Sequence, residues 1–321
     1  MKRDRIGVCV IGAGRAGMIH AVNYKTKVPN AKLVAMVDPS PAAEKACREL
    51  EVEKCYTDYK EALQDEAIDA VIVVTPTAYH REIVIAAAKA GKHIFCEKPM
   101  AINEDECDRM LEAVKENKVK LQLGFMRRFD ESFRQAKEVV ASGEIGNLVL
   151  VKSTNRGPSH PQPWMFDLTK SNGCLAEVNS HDIDTLRWFA GSEFKTVYAV
   201  GGNYRNIEVK ADYPDYYDNF VLSATFQNGS LGSIDGAAAV QYAYDARVEL
   251  LGTKGVIFLG QVHEKRITVC TKKSGMVRPA VQSWRSLFRE AYLNEALHFV
   301  ECILNDQQPE VTGVDGKMAV K

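Results

Sequence analysis

A glycine-rich turn that directly follows a short apolar run limits the possible folds of this chain more than any other feature. Residues 6–11 (I-G-V-C-V-I) are nearly all apolar, and the motif G-x-G-x-x-G follows at 12–17. A buried strand, a tight turn and a helix beginning near Met18 explain this order. In that arrangement the glycines let the backbone approach a pyrophosphate, which the N–H groups at the helix N-terminus bind. The motif alone leaves a dinucleotide site and an ordinary glycine turn both open.

Apolar runs alternate with helical patterns throughout the first part of the chain. Further runs with the character of buried strands lie at 32–38, 70–74, 93–96 and 119–124. Strands and helices that alternate at this rhythm predict a parallel, doubly wound sheet, because parallel strands need crossover helices between them. We therefore expect an α/β Rossmann domain at residues 1–123.

Asp38 stands at the end of the second predicted strand, about 20 residues beyond the third glycine, which is the spacing of the acid that binds the ribose diol of a dinucleotide. No arginine lies beside Asp38 to receive a 2′-phosphate, so the sequence predicts NAD rather than NADP as the cofactor. Asp38 can also cap the helix predicted at 42–50, and the two roles are compatible.

Glu97, Lys98 and Pro99 follow another buried strand, at 93–96. Proline ends the strand and holds the preceding residue in an extended or turn conformation. Lys98 is therefore expected at the carboxyl end of a parallel strand, where ligands bind in open α/β sheets. This stretch alone leaves a reactive lysine and an exposed Glu-Lys pair equally open.

Charge and cysteine distribution limit the partners and the compartment. The net charge is −1, and acidic and basic residues are mixed along the 321 residues, so neither nucleic acid nor a membrane surface is an expected partner. The eight cysteines form no C-x-x-C pair and lie partly within apolar runs, which is typical of a reducing compartment. With neither an export signal nor a run long enough to span a bilayer, we expect a cytoplasmic protein. We expect no metal site, since the sequence has no clustered Cys/His ligand set.

The second part of the chain has many consecutive strands. Strands are predicted at 148–154, 196–200, 219–226, 230–238, 245–251, 256–259 and 267–271, with a hairpin signal at Asn228-Gly229. Consecutive strands without helices between them predict a large, open, mostly antiparallel sheet, hence an α+β domain at 124–321. Such a sheet commonly pairs with another subunit, so we expect a homodimer or homotetramer formed through it.

Glu177 and His181 lie four residues apart in a helical pattern within 171–189, so they are expected to share one helix face. A carboxylate beside an imidazole fixes its tautomer and raises its basicity, which suits a general base for a hydroxyl proton. An ordinary helix histidine paired with an acid is the alternative. Asp182 and Asp184 are predicted to be caps or structural hydrogen-bonding groups.

Weaker candidates lie at the domain junction and in a proline-rich loop. Of Arg127 and Arg128, one is expected to meet the cofactor or substrate and the other to form a surface ion pair. Arg156 and Trp164 lie in the loop expected to cover the cleft, although Trp164 is equally compatible with packing.

Four motifs together resemble the Gfo/Idh/MocA family of NAD(P)-dependent sugar and polyol oxidoreductases, and most closely its inositol 2-dehydrogenase-like members. They are G-A-G-R-A-G at 12–17 followed by Asp38, T-P-T-A-Y-H at 75–80, E-K-P at 97–99 and G-F-M-R-R-F-D at 124–130. The resemblance implies that Lys98 lies beside the nicotinamide and the reacting hydroxyl, and that the Tyr242 hydroxyl faces the substrate. The cofactor contacts expected on this basis are Gly12, Ala13, Gly14, Arg15, Ala16, Asp38, Thr75, Pro76, His80, Glu97, Lys98 and Arg127.

Inositol dehydrogenases of this family carry an acid, usually aspartate, four residues before a histidine, and here that acid is Glu177. The main hypothesis is an NAD-dependent dehydrogenase of a cyclic polyol or sugar. Two alternatives remain: a hydrolase or lyase that retains NAD and oxidises its sugar transiently, and a non-catalytic regulator that binds a dinucleotide. Lys98, Glu177 and His181 are the expected catalytic residues. The expected substrate contacts are Lys98, Arg156, Trp164, Glu177, His181 and Tyr242.

Overall fold

The computed structural model describes residues 4–262, 268–273 and 275–321. The chain divides into two compact units, the first formed by Met1–Phe129 with Glu290–Lys321 and the second by Asp130–Arg289. The sequence predicts a boundary at 123/124 and places every later residue in the second domain. In the structure, the segment from Glu290 onwards belongs to the first unit instead.

The first unit is built on a six-stranded parallel sheet with the strand order β3-β2-β1-β4-β5-β6, which confirms the predicted doubly wound Rossmann fold. The three-residue strand β3 is too short to show as a pattern in the sequence. The elements are β1 (Ile6–Ile11), α1 (Arg15–Thr26), β2 (Ala31–Val37), α2 (Ala42–Leu50), β3 (Lys54–Tyr56), α3 (Tyr59–Leu63), β4 (Ala70–Val73), α4 (His80–Lys89), β5 (His93–Cys96), α5 (Glu104–Glu116) and β6 (Leu121–Leu123).

Strand β1 explains why its sequence is apolar at almost every position. Its six residues are all buried. Val8 and Val10 pack in one apolar cluster, whereas Cys9 and Ile11 pack in another. Alternate side chains of a strand point to opposite faces, so both faces of the sheet are covered. The parallel register then brings the carboxyl ends of the central strands together at one edge.

The second unit contains a six-stranded sheet with the order β12-β11-β7-β10-β9-β8, in which only β7 and β10 pair in parallel. This confirms the predicted large, mostly antiparallel sheet. Its elements are α6 (Glu131–Ser142), β7 (Leu148–Arg156), α7 (Gly173–Glu177), α8 (Ser180–Ala190), β8 (Phe194–Gly202), β9 (Asn219–Phe226), β10 (Leu231–Ala237), β11 (Asp245–Gly252), β12 (Val256–Leu259), β13 (Val269–Thr271), β14 (Gly275–Val277) and α9 (Trp284–Leu287).

Two sequence signals in this unit can be compared directly with the structure. The Asn228-Gly229 hairpin is confirmed: it joins the antiparallel strands β9 and β10, and Gly229 has a φ of +87°. The strand predicted at 267–271 begins at Ile267, which lies outside the described residues. Its remaining part is β13, which pairs with β14 in a separate two-stranded sheet.

The last two helices, α10 (Arg289–Leu304) and α11 (Gly313–Val320), return to the first unit. Phe299 of α10 lies in the same apolar cluster as the β1 side chains, and the Gln122 side chain of β6 donates to the carbonyl oxygen of Glu295 at 2.9 Å. The apolar stripe of α10 therefore covers the first sheet. A helical pattern identifies such an element but does not say which sheet it covers. None of the helices in the described part of the chain combines the length and apolar character that crossing a bilayer requires.

Candidate active site

The glycine turn after β1 has the geometry of an anion cradle. Gly12 has a φ of +107°, and a Cβ there would lie 2.4 Å from the Val74 carbonyl oxygen. A Cβ on Gly17 would lie 1.9 Å from the carbonyl oxygen of Gly12, so only glycine allows α1 to pack this closely. Gly14 is the N-cap of α1 and faces open space, and no side chain among the described residues caps the helix. The first-turn N–H groups of α1 therefore suit a pyrophosphate.

Asp38 connects the end of β2 to this turn. Its Oδ2 accepts the Ala13 amide hydrogen at 2.8 Å, and its Oδ1 accepts the Ser40 backbone N–H at 2.9 Å and the Ser40 hydroxyl at 2.6 Å. Pro41 is the N-cap of α2, so the expectation that Asp38 caps this helix is wrong. A carboxylate has about four lone-pair sites, so these three bonds leave capacity for a hydroxyl. The ribose contact stays a prediction.

His80 connects two of the loops at the same edge. Its Nδ1 lies 2.8 Å from the Pro99 carbonyl oxygen and its Nε2 lies 2.9 Å from that of Thr75. The residue is buried, and burial lowers its pKa below the ordinary value. The structure thus gives His80 a bracing role between the loops that follow β4 and β5. Direct contacts of His80, Thr75 and Pro76 with a cofactor stay predictions.

The strand end at Glu97, Lys98 and Pro99 is not an exposed charge pair, because Glu97 is buried. Glu97 Oε1 lies 2.9 Å from His20 Nε2, and Glu97 Oε2 accepts the Lys98 amide hydrogen at 3.1 Å. Burial alone would raise the pKa of Glu97, but the hydrogen bond from His20 and the nearby charges of His20 and Lys98 hold it below its ordinary value. Lys98 is half-buried, and the Lys98–Pro99 peptide bond is cis.

Arg127 and Arg128 lie in a 3₁₀ turn that follows β6, and both are buried. Arg128 donates to Asp315 at 3.0 Å, so it forms an ion pair. The expectation of a surface pair is wrong, because the side chains of Arg128 and Asp315 are only 9% and 14% exposed. A cofactor or substrate contact of Arg127 stays a prediction.

In the second unit, Glu177 and His181 do not lie on one continuous helix. Glu177 is the last residue of α7, and His181 lies in the first turn of α8. The shared helix face predicted from their spacing is therefore wrong. At the break, the Asn179 side chain donates to the Asn155 carbonyl oxygen of β7 at 3.2 Å. Orientation of the His181 ring by Glu177 stays a prediction.

A buried carboxylate anchors the first turn of α8. Asp182 is fully buried and accepts hydrogen bonds from the hydroxyl of Ser153, from Asn155 Nδ2 at 2.8 Å and from Asn179 Nδ2 at 3.0 Å. This confirms that Asp182 is a structural hydrogen-bonding group. Because Ser153 and Asn155 belong to β7, the network fixes the backbone of His181 relative to the second sheet.

Of the remaining predicted substrate residues, Arg156 and Tyr242 have hydrogen-bond partners within their own unit. Arg156, at the end of β7, forms a bidentate pair with Asp235 of β10, which raises the pKa of the guanidinium. The Tyr242 hydroxyl donates to Asp245 at 2.8 Å. Trp164 lies half-buried in a 3₁₀ turn. Substrate contacts of Arg156, Trp164 and Tyr242 stay predictions.

Sequence reasoning missed two side chains beside Glu97, namely His20 and Glu295. They lie on α1 and α10, far from Glu97 along the chain, and both are fully buried. Neither belongs to a motif, so no local pattern identifies them. The one sequence signal that could have identified them is a titratable residue at a position where the helical pattern predicts a buried apolar side chain.

Two family models match the chain. An oxidoreductase-family model described as an NAD-binding Rossmann fold matches residues 6–125, and the Gfo/Idh/MocA C-terminal domain matches residues 133–258. These two matches coincide with the Rossmann sheet and with the main sheet of the second unit.

Curated relatives match almost the whole chain. The scyllo-inositol 2-dehydrogenase (NAD(+)) of Bacillus subtilis is 38% identical over 97% of this chain and 90% of its own length. The myo-inositol 2-dehydrogenase of Thermotoga maritima is 38% identical over 98% of this chain and 93% of its own length. Among solved structures, the scyllo-inositol dehydrogenase of Lactobacillus casei with bound NAD(H) and scyllo-inositol has a TM-score of 0.89 and 33% identity, covering 99% of this chain and 94% of that one.

Proposed function

Because the chain belongs to the Gfo/Idh/MocA oxidoreductase family, whose N-terminal model is an NAD-binding Rossmann fold, we propose that it is an NAD-dependent dehydrogenase of an inositol-like cyclic polyol. The reaction converts a secondary CH–OH to a ketone. One observation carries this proposal: in the first sheet Ile11 pairs with Val73, and Val73 pairs with Cys96. The glycine turn and Lys98 therefore follow strands that end at the same edge.

The residues at this edge fit the cofactor, which supplies the hydride acceptor when bound. The first turn of α1 and the open space at Gly14 suit the pyrophosphate, and Asp38 retains lone pairs for the ribose hydroxyls. The proposal includes the remaining cofactor contacts expected from the sequence, namely those of Gly12, Ala13, Arg15, Ala16, Thr75, Pro76, His80, Glu97, Lys98 and Arg127.

Lys98 and His181 have different tasks in this reaction. The Lys98 ammonium group donates a hydrogen bond to the reacting oxygen, and its charge stabilises the alkoxide character that develops there. His181 accepts the hydroxyl proton, and the Glu177 carboxylate stabilises the resulting imidazolium. The carbinol hydrogen leaves as hydride, so the carbon–oxygen single bond becomes a carbonyl. Arg156, Trp164 and Tyr242 contact the other ring hydroxyls.

The open face of the second sheet supports a homodimer or homotetramer. Tyr198, Val200, Val221 and Phe258 are each more than half exposed, and the strand pairing places them on one face of this sheet. Large apolar side chains exposed on one face of a sheet are typical of an interface, and identical sheets pair readily around a two-fold axis. Light scattering tests this, since a monomer mass at micromolar concentration would contradict it.

The protein is assigned to the cytoplasm, because most of its eight cysteines are buried as small apolar side chains.

The experiment is a substrate panel followed by NADH absorbance. Scyllo-inositol, myo-inositol and an acyclic polyol are each tested with NAD and with NADP, using wild type, Lys98→Met and the control Lys115→Met. Lys115 lies in the last turn of α5 on an exposed position. We expect NADH with at least one inositol, no NADH from Lys98→Met and wild-type rates from the control. Full activity of Lys98→Met would contradict the assignment, and cofactor that stays bound without net NADH would favour an NAD-retaining hydrolase or lyase.

A further inference from the structure

Three buried titratable side chains meet behind the strand end that carries Lys98. His20 lies on α1, Glu97 follows β5 and Glu295 lies on α10, and their potential ligand atoms are all within 4.8 Å of one another. His20 and Glu295 have no exposed surface, and Glu97 is 6% exposed. Buried ionisable groups are costly unless they are paired, so this arrangement calls for a function.

The hydrogen bonds run from His20 through Glu97 to the backbone of Lys98. An ionised carboxylate only accepts hydrogen bonds, so the 2.9 Å contact means that His20 Nε2 carries the hydrogen. The other oxygen of Glu97 accepts the Lys98 amide hydrogen at 3.1 Å. The imidazole itself has little freedom, because its ring centroid lies 5.0 Å from that of Phe95 and 5.6 Å from that of Tyr292.

Glu295 completes the cluster as a neutral acid. Burial and the charge of Glu97 raise its pKa well above the ordinary value. Neither of its carboxyl oxygens has a hydrogen-bond partner among the described residues, and the same is true of the Tyr24 hydroxyl. Tyr24 is buried, and its pKa is raised by burial and by Glu295. With the proton on Glu295, the negative charge of the cluster is confined to Glu97, next to His20 and Lys98.

We propose that His20 is a positioning residue for Lys98, which it holds at the end of β5 through the Glu97 carboxylate. This inference rests on the catalytic role of Lys98 in the proposed function. The helix that carries His20 also begins at the glycine turn, with Gly14 as its N-cap. One helix thus presents its N-terminus to the cofactor phosphates and, less than two turns later, supports the lysine.

Two variants separate the hydrogen bond from the packing of His20. His20→Phe keeps an aromatic ring between Phe95 and Tyr292 but removes the donor. We expect kcat to fall about 10- to 100-fold, the cost of a small misplacement of a reacting group, with the KM for NAD changed less than about twofold. His20→Gln places an amide N–H near the original Nε2 and should restore kcat to within about threefold of wild type. His298→Phe is the control, because it makes the same substitution at a histidine that packs against an aromatic ring, that of Phe129, and forms a hydrogen bond, accepting the Glu310 backbone N–H at 3.0 Å, yet lies outside the cluster; its kcat should not change.

The second readout needs no turnover. Amide hydrogen exchange of Lys98, followed by NMR, should be at least about tenfold faster in His20→Phe than in wild type or His298→Phe, because the Glu97 oxygen no longer holds that amide in place. If wild type oxidises no polyol, the proposed function fails, while the exchange data still decide whether His20 holds Lys98. Unchanged kcat and unchanged exchange in His20→Phe would overturn the inference. A stoichiometric metal ion in the purified protein would also overturn it, since a metal would occupy the His20 and Glu97 atoms that form the hydrogen bond.

Discussion

His181, proposed to accept the hydroxyl proton, and Lys98, proposed to stabilise the developing negative charge, are each supported by a buried carboxylate. The two supports differ in chemistry. Glu97, behind Lys98, has an imidazole at 2.9 Å and a second carboxyl group nearby. Asp182, next to His181, accepts hydrogen bonds from a serine hydroxyl and two asparagine amides. Hydroxyl and amide donors do not titrate near neutral pH. The named donors to Asp182 therefore carry no proton that titrates near neutral pH, whereas the support of Lys98 contains a histidine and a second carboxyl group that do titrate.

The largest expected effect comes from removing the base itself. His181→Gln keeps a polar side chain of similar size but cannot accept the hydroxyl proton, so kcat should fall about 100- to 10,000-fold. The loss should shrink at high pH, where hydroxide replaces the base. Initial rates of NADH formation between pH 6 and 10 test this. A pH-independent loss of less than about tenfold would mean that His181 is not the base.

The hydrogen bonds that Asp182 accepts from uncharged donors should affect mainly the stability of the fold. Asp182→Ala leaves the Ser153 and Asn155 donors buried without their acceptor, at about 1–3 kcal/mol for each group. The free energy of unfolding in urea should therefore fall by about 2–6 kcal/mol, and by a similar amount at every pH from 6 to 9. A loss that grows steadily with pH would contradict the distinction between the two supports.

The supports of Lys98 and His181 differ in how much of each could be predicted from the sequence. The alternation of apolar runs and helices predicts the first sheet, and the position of Lys98 at a strand end follows from Pro99 and the preceding run. His20, 77 residues from Glu97, could not be found, because only the folded sheet brings α1 and β5 together. Around His181 the spacing predicts a single helix, whereas the structure interrupts it after Glu177, where Asn179 forms a long-range hydrogen bond with the Asn155 carbonyl oxygen that no local propensity records.

The last expected effect, which tests the comparison most sharply, concerns the proton on Glu295. The folded state holds this proton above the ordinary pKa of 4.5, whereas the unfolded state releases it there. Stability is therefore complete below about pH 4.5 and is lost as the pH rises towards the folded-state pKa, by about 1.4 kcal/mol per pH unit. Glu295→Gln, which resembles the neutral acid, should remove this slope and be more stable than wild type at pH 8. Urea unfolding of both proteins at pH 6, 7 and 8 measures the slope, and parallel pH dependences would show that Glu295 carries no extra proton.

The central claim is that hydride passes from a ring carbon of a cyclic polyol to NAD. The most direct measurement uses an inositol that carries deuterium on its ring carbons, incubated with the enzyme and NAD, with the NADH product analysed by mass spectrometry. We expect NADH with one deuterium per molecule together with an equal amount of ketone. Unlabelled NADH, or no NADH from any cyclic polyol at any pH tested, would contradict it.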